Sequence, residues 1–148
     1  MITIIELHKA YGSTTVLRGL NLSVTKGSVI GIVGENGAGK TTLFRCVAGL
    51  EDYDGQVNSD VVPLKNVLGL LPTDPYFIPK MTAREYLTLL TYARQIDIKN
   101  FDDRNIFDLP LDQLVSTYST GMKKKLALNA ILLQKNDVYI LDEPYNGV

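Results

Sequence analysis

An α/β fold is what this sequence predicts, and three observations predict it. Residues 29–42, VIGIVGENGAGKTT, pass from β-branched and small apolar residues through a glycine-rich loop into the start of a helix. Residues 138–141, VYIL, are a short continuous apolar run of the kind buried in a parallel sheet, and they end on Asp142 and Glu143. Between these runs lie two stretches with helical apolar spacing, one opened by Thr82-Ala-Arg-Glu85 and one by Ser119-Thr120.

The elements follow in order. Ile2 to Leu7 reads as a strand, and Leu20 to Val24 as a second beyond the turn at Tyr11-Gly12-Ser13. Lys26-Gly27 then turns the chain into Val29 to Val33, the strand that feeds the glycine loop. After Thr42, the segment LFRCVAGL sets Leu43, Val47 and Leu50 at helical spacing with Gly49 as its stop. Gly55 to Val57, VVPL, and NVLGLLP through Pro72 are short β-like pieces. The Thr82 capping box opens a helix to about Gln95, whose apolar face is Tyr86, Leu87, Leu89, Leu90 and Ala93. Residues 97–117 are mixed and polar, predicting short helical turns and loops. The next helix carries Met122, Leu126, Ala130 and Leu133 on one side and Lys123 to Lys125 as a solvated face, until Asn136-Asp137 breaks it.

The 148 residues are 45% apolar and 21% charged, an ordinary globular composition for about one domain. A net charge of −1 and a pI near 5.8 argue against a mainly electrostatic grip on nucleic acid, which needs a basic excess. The single cysteine, Cys46, sits in an apolar stretch and reads as buried packing in a reducing cytosol. No apolar run approaches the ~18 residues that span a membrane, so a membrane role is expected to come through a partner.

The loop has the pattern G-x-x-x-x-G-K-[ST]. Its glycines let the backbone curl until the N–H groups of Gly34, Asn36, Gly37, Ala38 and Gly39 face a single anion, and the following helix adds the positive end of its dipole. Lys40 reaches the β- and γ-phosphates of a triphosphate as a point charge. Thr41 offers its hydroxyl to Mg²⁺, and Thr42 follows it in the binding set. An apolar strand ending in two carboxylates adds what phosphoryl transfer to water still needs. Asp142 can hold Mg²⁺, directly or through water, and Glu143 can polarise the attacking water.

The loop, then Tyr118-Ser119-Thr120-Gly121-Met122, then ILDEP one apolar helix later, make the chain resemble the ATP-binding cassette (ABC) ATPases over essentially its whole length. The resemblance implies a single, partial nucleotide-binding domain over residues 1–148. Its parts would be a P-loop NTPase core sheet, an antiparallel β subdomain and a helical subdomain from about residue 74 to 134, lacking the C-terminal strands. It further implies a head-to-tail homodimer or heterodimer that traps ATP between the loop of one copy and the Ser119-to-Met122 segment of the other. Ser119 and Gly121 would reach the nucleotide there, from a helix N-terminus. Tyr11 matches an aromatic residue that stacks on adenine, worth about 1 kcal/mol.

The function so implied is the ATP-binding subunit of an ABC transporter, an ATPase with Lys40 and Glu143 as catalytic residues and ATP and Mg²⁺ as ligands. It would be cytoplasmic, at the inner face of the cell membrane, docked on membrane-spanning permease subunits and without direct nucleic-acid contact. The alternative is a soluble ABC ATPase acting on ribosomes or DNA.

The chain departs from the family in three places. Thr73 stands where the family has a glutamine near Mg²⁺, offering a short hydroxyl in place of an amide's donor and acceptor; it is carried over as a third metal-side residue. The signature reads STGM rather than SGGQ. The chain ends at Pro144-Tyr-Asn-Gly-Val148, where the family continues into a helix and a strand that delivers a histidine; His8 lies before the loop and does not match. The expectation is a truncated form, or the ordered part of a longer protein. It would carry an uncovered edge or apolar surface, bind ATP and hydrolyse it poorly.

Overall fold

The computed structural model describes residues 1–61 and 63–145, which group into two compact units, Met1–Leu68 and Gly69 onward. Asn146 to Val148, the end of the expected C-terminal break, lie outside the described residues.

In the first unit β1 (Ile2–Tyr11) is the middle strand of an antiparallel sheet, flanked by β2 (Thr14–Val24) and β3 (Asp54–Ser59). The expected antiparallel portion is present, with longer strands than alternation indicates. Strict alternation from Ile2 and Ile4 would send Glu6 into the core. Instead Glu6 adopts φ 47°, and the pairing steps from Ile4↔Leu22 to Leu7↔Leu20, three residues of β1 against two of β2. That bulge restores Leu7 to the buried face with Ile2 and Ile4. Asn21 locks it, accepting from the Glu6 N–H at 3.0 Å and donating to Glu6 Oε1 at 2.6 Å.

Helix α1 (Lys40–Val47) buries Leu43 and Cys46. Its end is a Schellman motif: Gly49 at φ 72° donates to the Cys46 carbonyl and Leu50 to that of Arg45. The predicted glycine stop therefore holds, whereas Leu50 falls beyond it and is exposed rather than on the helix's apolar face. The predicted strand Val29 to Val33 belongs to no sheet among the described residues. Val29 and Val33 are 99% and 97% exposed, because an extended segment without a ladder partner has nothing to bury against. VVPL is not β either in its described residues: it runs into a 3-10 turn, Leu64–Asn66, since Pro63 has no N–H for a ladder; Val62 lies outside the described residues.

Strand β4 (Leu68–Leu71), which lies in the second unit from Gly69 on, pairs with β5 (Val138–Leu141). Tyr139 and Leu141 are about two-fifths exposed, so β5 is not buried on both faces as its apolar run predicts; two strands cover only part of each other. Helices α2 (Ala83–Ala93) and α3 (Thr120–Leu133) pack around Ala83, Leu87, Leu126 and Ala130. Leu89 and Ala93 are exposed, contrary to expectation, since Leu89 lies about 200° round the helix from Leu87. The polar connector forms two 3-10 turns, Asp102–Arg104 and Val115–Thr117, yet it also buries Phe101, Leu109, Leu111 and Val115 in the same core.

The capping box at Thr82 is complete: Glu85 N–H donates to Thr82 Oγ1 at 3.2 Å, and Thr82 N–H to Glu85 Oε2 at 2.8 Å. The Thr82 N–H, and the Thr82 hydroxyl that donates to the same Oε2 at 3.0 Å, hold the Glu85 carboxyl below its ordinary range. A lowered folded-state value means that the contribution is full above the unfolded value and is lost as pH falls through the folded one. Thr82→Ala should lower stability by about 1 kcal/mol in urea unfolding, with Thr82→Ser close to wild type. The stability gap between wild type and Glu85→Gln, measured from pH 7 downward, should close on the acid side.

Candidate functional site

The first unit carries the glycine loop. Gly39 precedes α1 at φ 92°, and a Cβ there would stand 2.8 Å from Val16 Cγ1 of β2, so only glycine fits. Upstream, Ala38 N–H donates to the Glu35 carbonyl at 3.1 Å and Gly37 takes φ 84°, curling residues 34–39 into a tight exposed loop. Asn36 lies on that loop, and Thr41 and Thr42 begin α1 behind Lys40. Lys40 Nζ reaches back to donate to the Gly34 and Glu35 carbonyls at 2.7 and 2.9 Å. Its charge is thus held across the loop mouth by neutral acceptors, which a phosphate would displace as a stronger partner.

Tyr11, at the end of β1, is 45% exposed. Lys9 Nζ stands 5.0 Å over its ring, held by the Asp52 carbonyl at 2.6 Å and Glu51 Oε2 at 3.3 Å. Sequence reasoning passed over Lys9, although its spacing two residues from Tyr11 on one strand puts both on one face. Burial pushes the Cys46 thiol up, the nearby Lys9 opposing, which suits a packing role.

The second unit holds the acidic end of β5. Asp142 is 2% exposed; its N–H donates to the Leu71 carbonyl at 2.9 Å, and its Oδ2 accepts from the Thr73 hydroxyl at 2.9 Å. The Thr73 carbonyl in turn accepts from Lys124 Nζ at 2.7 Å. Lys124 is 3% exposed, which corrects the expectation of a solvated lysine face. Three consecutive residues span about 200° of a helix, and α3 buries Leu126, Ala127, Asn129, Ala130 and Ile131 besides, so the middle lysine faces inward. The signal was available in sequence as a basic run set into an otherwise apolar helix.

Glu143 is exposed and sits at φ 49°, a left-handed conformation that costs a non-glycine residue on the order of 1 kcal/mol. Ser119 caps α3, its Oγ accepting from Met122 N–H at 3.2 Å; Ser119 is exposed and Gly121 half-buried. Tyr118 anchors that turn, its hydroxyl donating to the Pro110 carbonyl at 2.8 Å, and burial, with Asp112 nearby, pushes the phenol up.

The loop residues and Tyr11 therefore lie in the first unit, while Thr73, Ser119, Gly121, Asp142 and Glu143 lie in the second, where Thr73 and Asp142 meet. Among the described residues no three His, Cys, Asp or Glu side chains converge as a metal cage. Mg²⁺ is commonly held by one or two carboxylates with substrate phosphates and waters, and the oxygens of Thr41, Asp142 and Thr73 are donors of that kind. Among the described residues no helix is long and apolar enough to cross a membrane.

Known proteins are similar to the chain. The ABC transporter family model matches residues 17–146. The bacitracin transport ATP-binding protein of Enterococcus faecalis is 33% identical over 155 residues, covering 97% of this chain and 50% of that protein. The SkfA peptide export ATP-binding protein of Bacillus subtilis is 31% identical over 157 residues, covering 97% of this chain and 65% of that protein. The chain spans about half the length of the first curated relatives it matches. A solved ATP-binding subunit of an ABC transporter superposes with a TM-score of 0.88 at 25% identity, covering 99% of this chain and 68% of that one. With a glycine loop, a capped signature turn and a strand ending in Asp142-Glu143, all inside that family match, the chain belongs to the ABC transporter family.

Proposed function

We propose that the chain is the ATP-binding part of an ABC transporter subunit, coupling ATP binding and hydrolysis to movement in membrane-spanning permease partners. The observation that carries this reading is Lys40 stretched across its own loop, a charge already in place where a triphosphate would sit on Gly34 to Gly39. Residues 1–148 would form one nucleotide-binding domain, with residues 74–134 as its helical subdomain facing the permease at the cytoplasmic side of the membrane.

Each residue then has a task. Backbone N–H groups from Gly34 to Gly39 and the N-terminus of α1 hold the phosphates, Lys40 bridges the β- and γ-phosphates, and Thr42 supports the same turn. Tyr11 stacks on the base, its ring backed by Lys9. Thr41 and Asp142 would hold Mg²⁺, with Thr73 on the metal side through its bond to Asp142, and the ion would supply positive charge against that developing on the phosphates. Glu143 takes the proton of the attacking water. Ser119 and Gly121 serve the nucleotide of a second copy in a head-to-tail pair, as the exposed cap of α3 allows. Binding favours the closed pair because both half-sites share the γ-phosphate, and its cleavage removes that differential affinity.

Nucleotide titration and steady-state turnover of the full-length protein test this. Lys40→Ala should weaken ATP binding about 10- to 100-fold, the loss of charge-assisted bonds to phosphate. Glu143→Gln should keep binding and lower kcat about 100-fold or more; wild-type turnover in that variant would remove Glu143 as the base. Tyr11→Ala should weaken binding about fivefold, equally for ATP and ADP, as loss of a stacking contact does.

A further inference from the structure

Lys124 is a buried charge that the proposed reaction does not use. A methionine or leucine of similar volume would fill its place in α3 without desolvating an ammonium group, so a lysine there calls for a contact that a charge makes best. That contact is the Thr73 carbonyl at 2.7 Å, directly beyond β4, and the Thr73 hydroxyl donates to Asp142 Oδ2 at 2.9 Å. Both the backbone and the side chain of Thr73 are thereby fixed, the first by α3 and the second by the carboxylate that ends β5. Lys124 lies in the second turn of α3, the helix that Ser119 caps, so the tie starts from that helix.

We infer that Lys124 is a positioning residue for the metal-side carboxylate: through Thr73 it sets the orientation of Asp142 and makes that seat depend on α3. A carboxylate accepting a fixed hydroxyl on one oxygen presents a defined direction to a cation, and partners of this kind typically change metal affinity or activity 10- to 100-fold when removed. The inference rests on the reading above, in which Asp142 serves Mg²⁺.

The test uses the full-length protein with a non-hydrolysable ATP analogue and Mn²⁺ in place of Mg²⁺, reading metal affinity from the loss of free-ion EPR signal. Nucleotide binding in EDTA and the melting temperature are measured alongside. Lys124→Met and Thr73→Val should each weaken Mn²⁺ binding about tenfold, with binding in EDTA unchanged, and the double variant should be no worse than either single one. Thr73→Ser should restore wild-type affinity. If Lys124→Met does not fold, Lys124→Gln, with a shorter amide donor, should show the same direction of shift. Unchanged metal affinity in the folded Lys124 variant, additive losses in the double variant, or a Thr73→Ser as weak as Thr73→Val each overturn the inference while leaving the functional reading standing. A wild-type protein that binds neither the analogue nor Mn²⁺ overturns both.

Discussion

A backbone that presents N–H groups to an anion must keep most of them out of its own secondary structure, and in the proposed reading residues 34–39 do so by curling, with the Ala38 N–H spent on the Glu35 carbonyl at 3.1 Å to close the curl. The curl closes at Gly39, in a left-handed conformation pressed against Val16 of β2. Everything else in the first unit follows from holding that point still. Strand β2 is held against β1, β1 keeps its apolar side inward only because of the bulge at Glu6, and β3 closes the other edge. Helix α1 then starts at Lys40 with its dipole aimed at the loop, and Leu43 and Cys46 fix its rotation. The resting Lys40 covers the mouth with its own charge, so the loop neither collapses nor leaves a cation unpartnered.

The second unit answers a different demand, which is to bury polar groups beside a thin sheet. Asp142, Thr73 and Lys124 satisfy one another, and the Asn136 amide donates to the Ile131 carbonyl at 2.8 Å, closing the end of α3. Such a chain of bonds is rigid because each member left alone would be an unpaired polar group in a poorly solvated place. The apolar core lies elsewhere in the same unit, around Leu87, Leu126 and Val115. The connector between α2 and α3 is therefore not a passive loop. Its apolar residues fill that core while Asp102 and Asp112 grip Arg84 from the surface.

What sequence made legible was whatever repeats with a period or fixes a local bond. The capping box at Thr82, the cap at Ser119, the stop at Gly49 and the inward side of α3 from Met122 to Leu133 all depend on neighbours a few residues apart. Where partners are distant in sequence, the reading failed for physical reasons. Val29 to Val33 has strand-like residues, but a strand is a property of a pair. Glu6 occupies a position that alternation assigns to the core, and a bulge moves it out. Lys124 looks like surface until the circumference of α3 is counted against its buried neighbours. In the candidate site, residue types in the glycine loop announced themselves through backbone need, whereas the hold on Asp142 joins positions 73, 124 and 142 and has no local signature.

The adjacent carboxylates show how one strand end can serve two roles in the proposed reaction. Asp142 is 2% exposed and bonded through both its N–H and its Oδ2, so its direction is set by β4 and Thr73. Glu143, one residue later, is exposed at φ 49°. A continued extended backbone would have kept alternation, with Glu143 simply opposite Asp142 on the sheet. The left-handed step breaks that geometry and swings the chain out of the strand, at a local conformational cost that the fixed residue before it can sustain. A metal seat works by not moving, whereas a base must meet a water whose position depends on the nucleotide. Placing the buried group directly after the strand and the exposed one in the left-handed step beyond it gives each the setting its task requires.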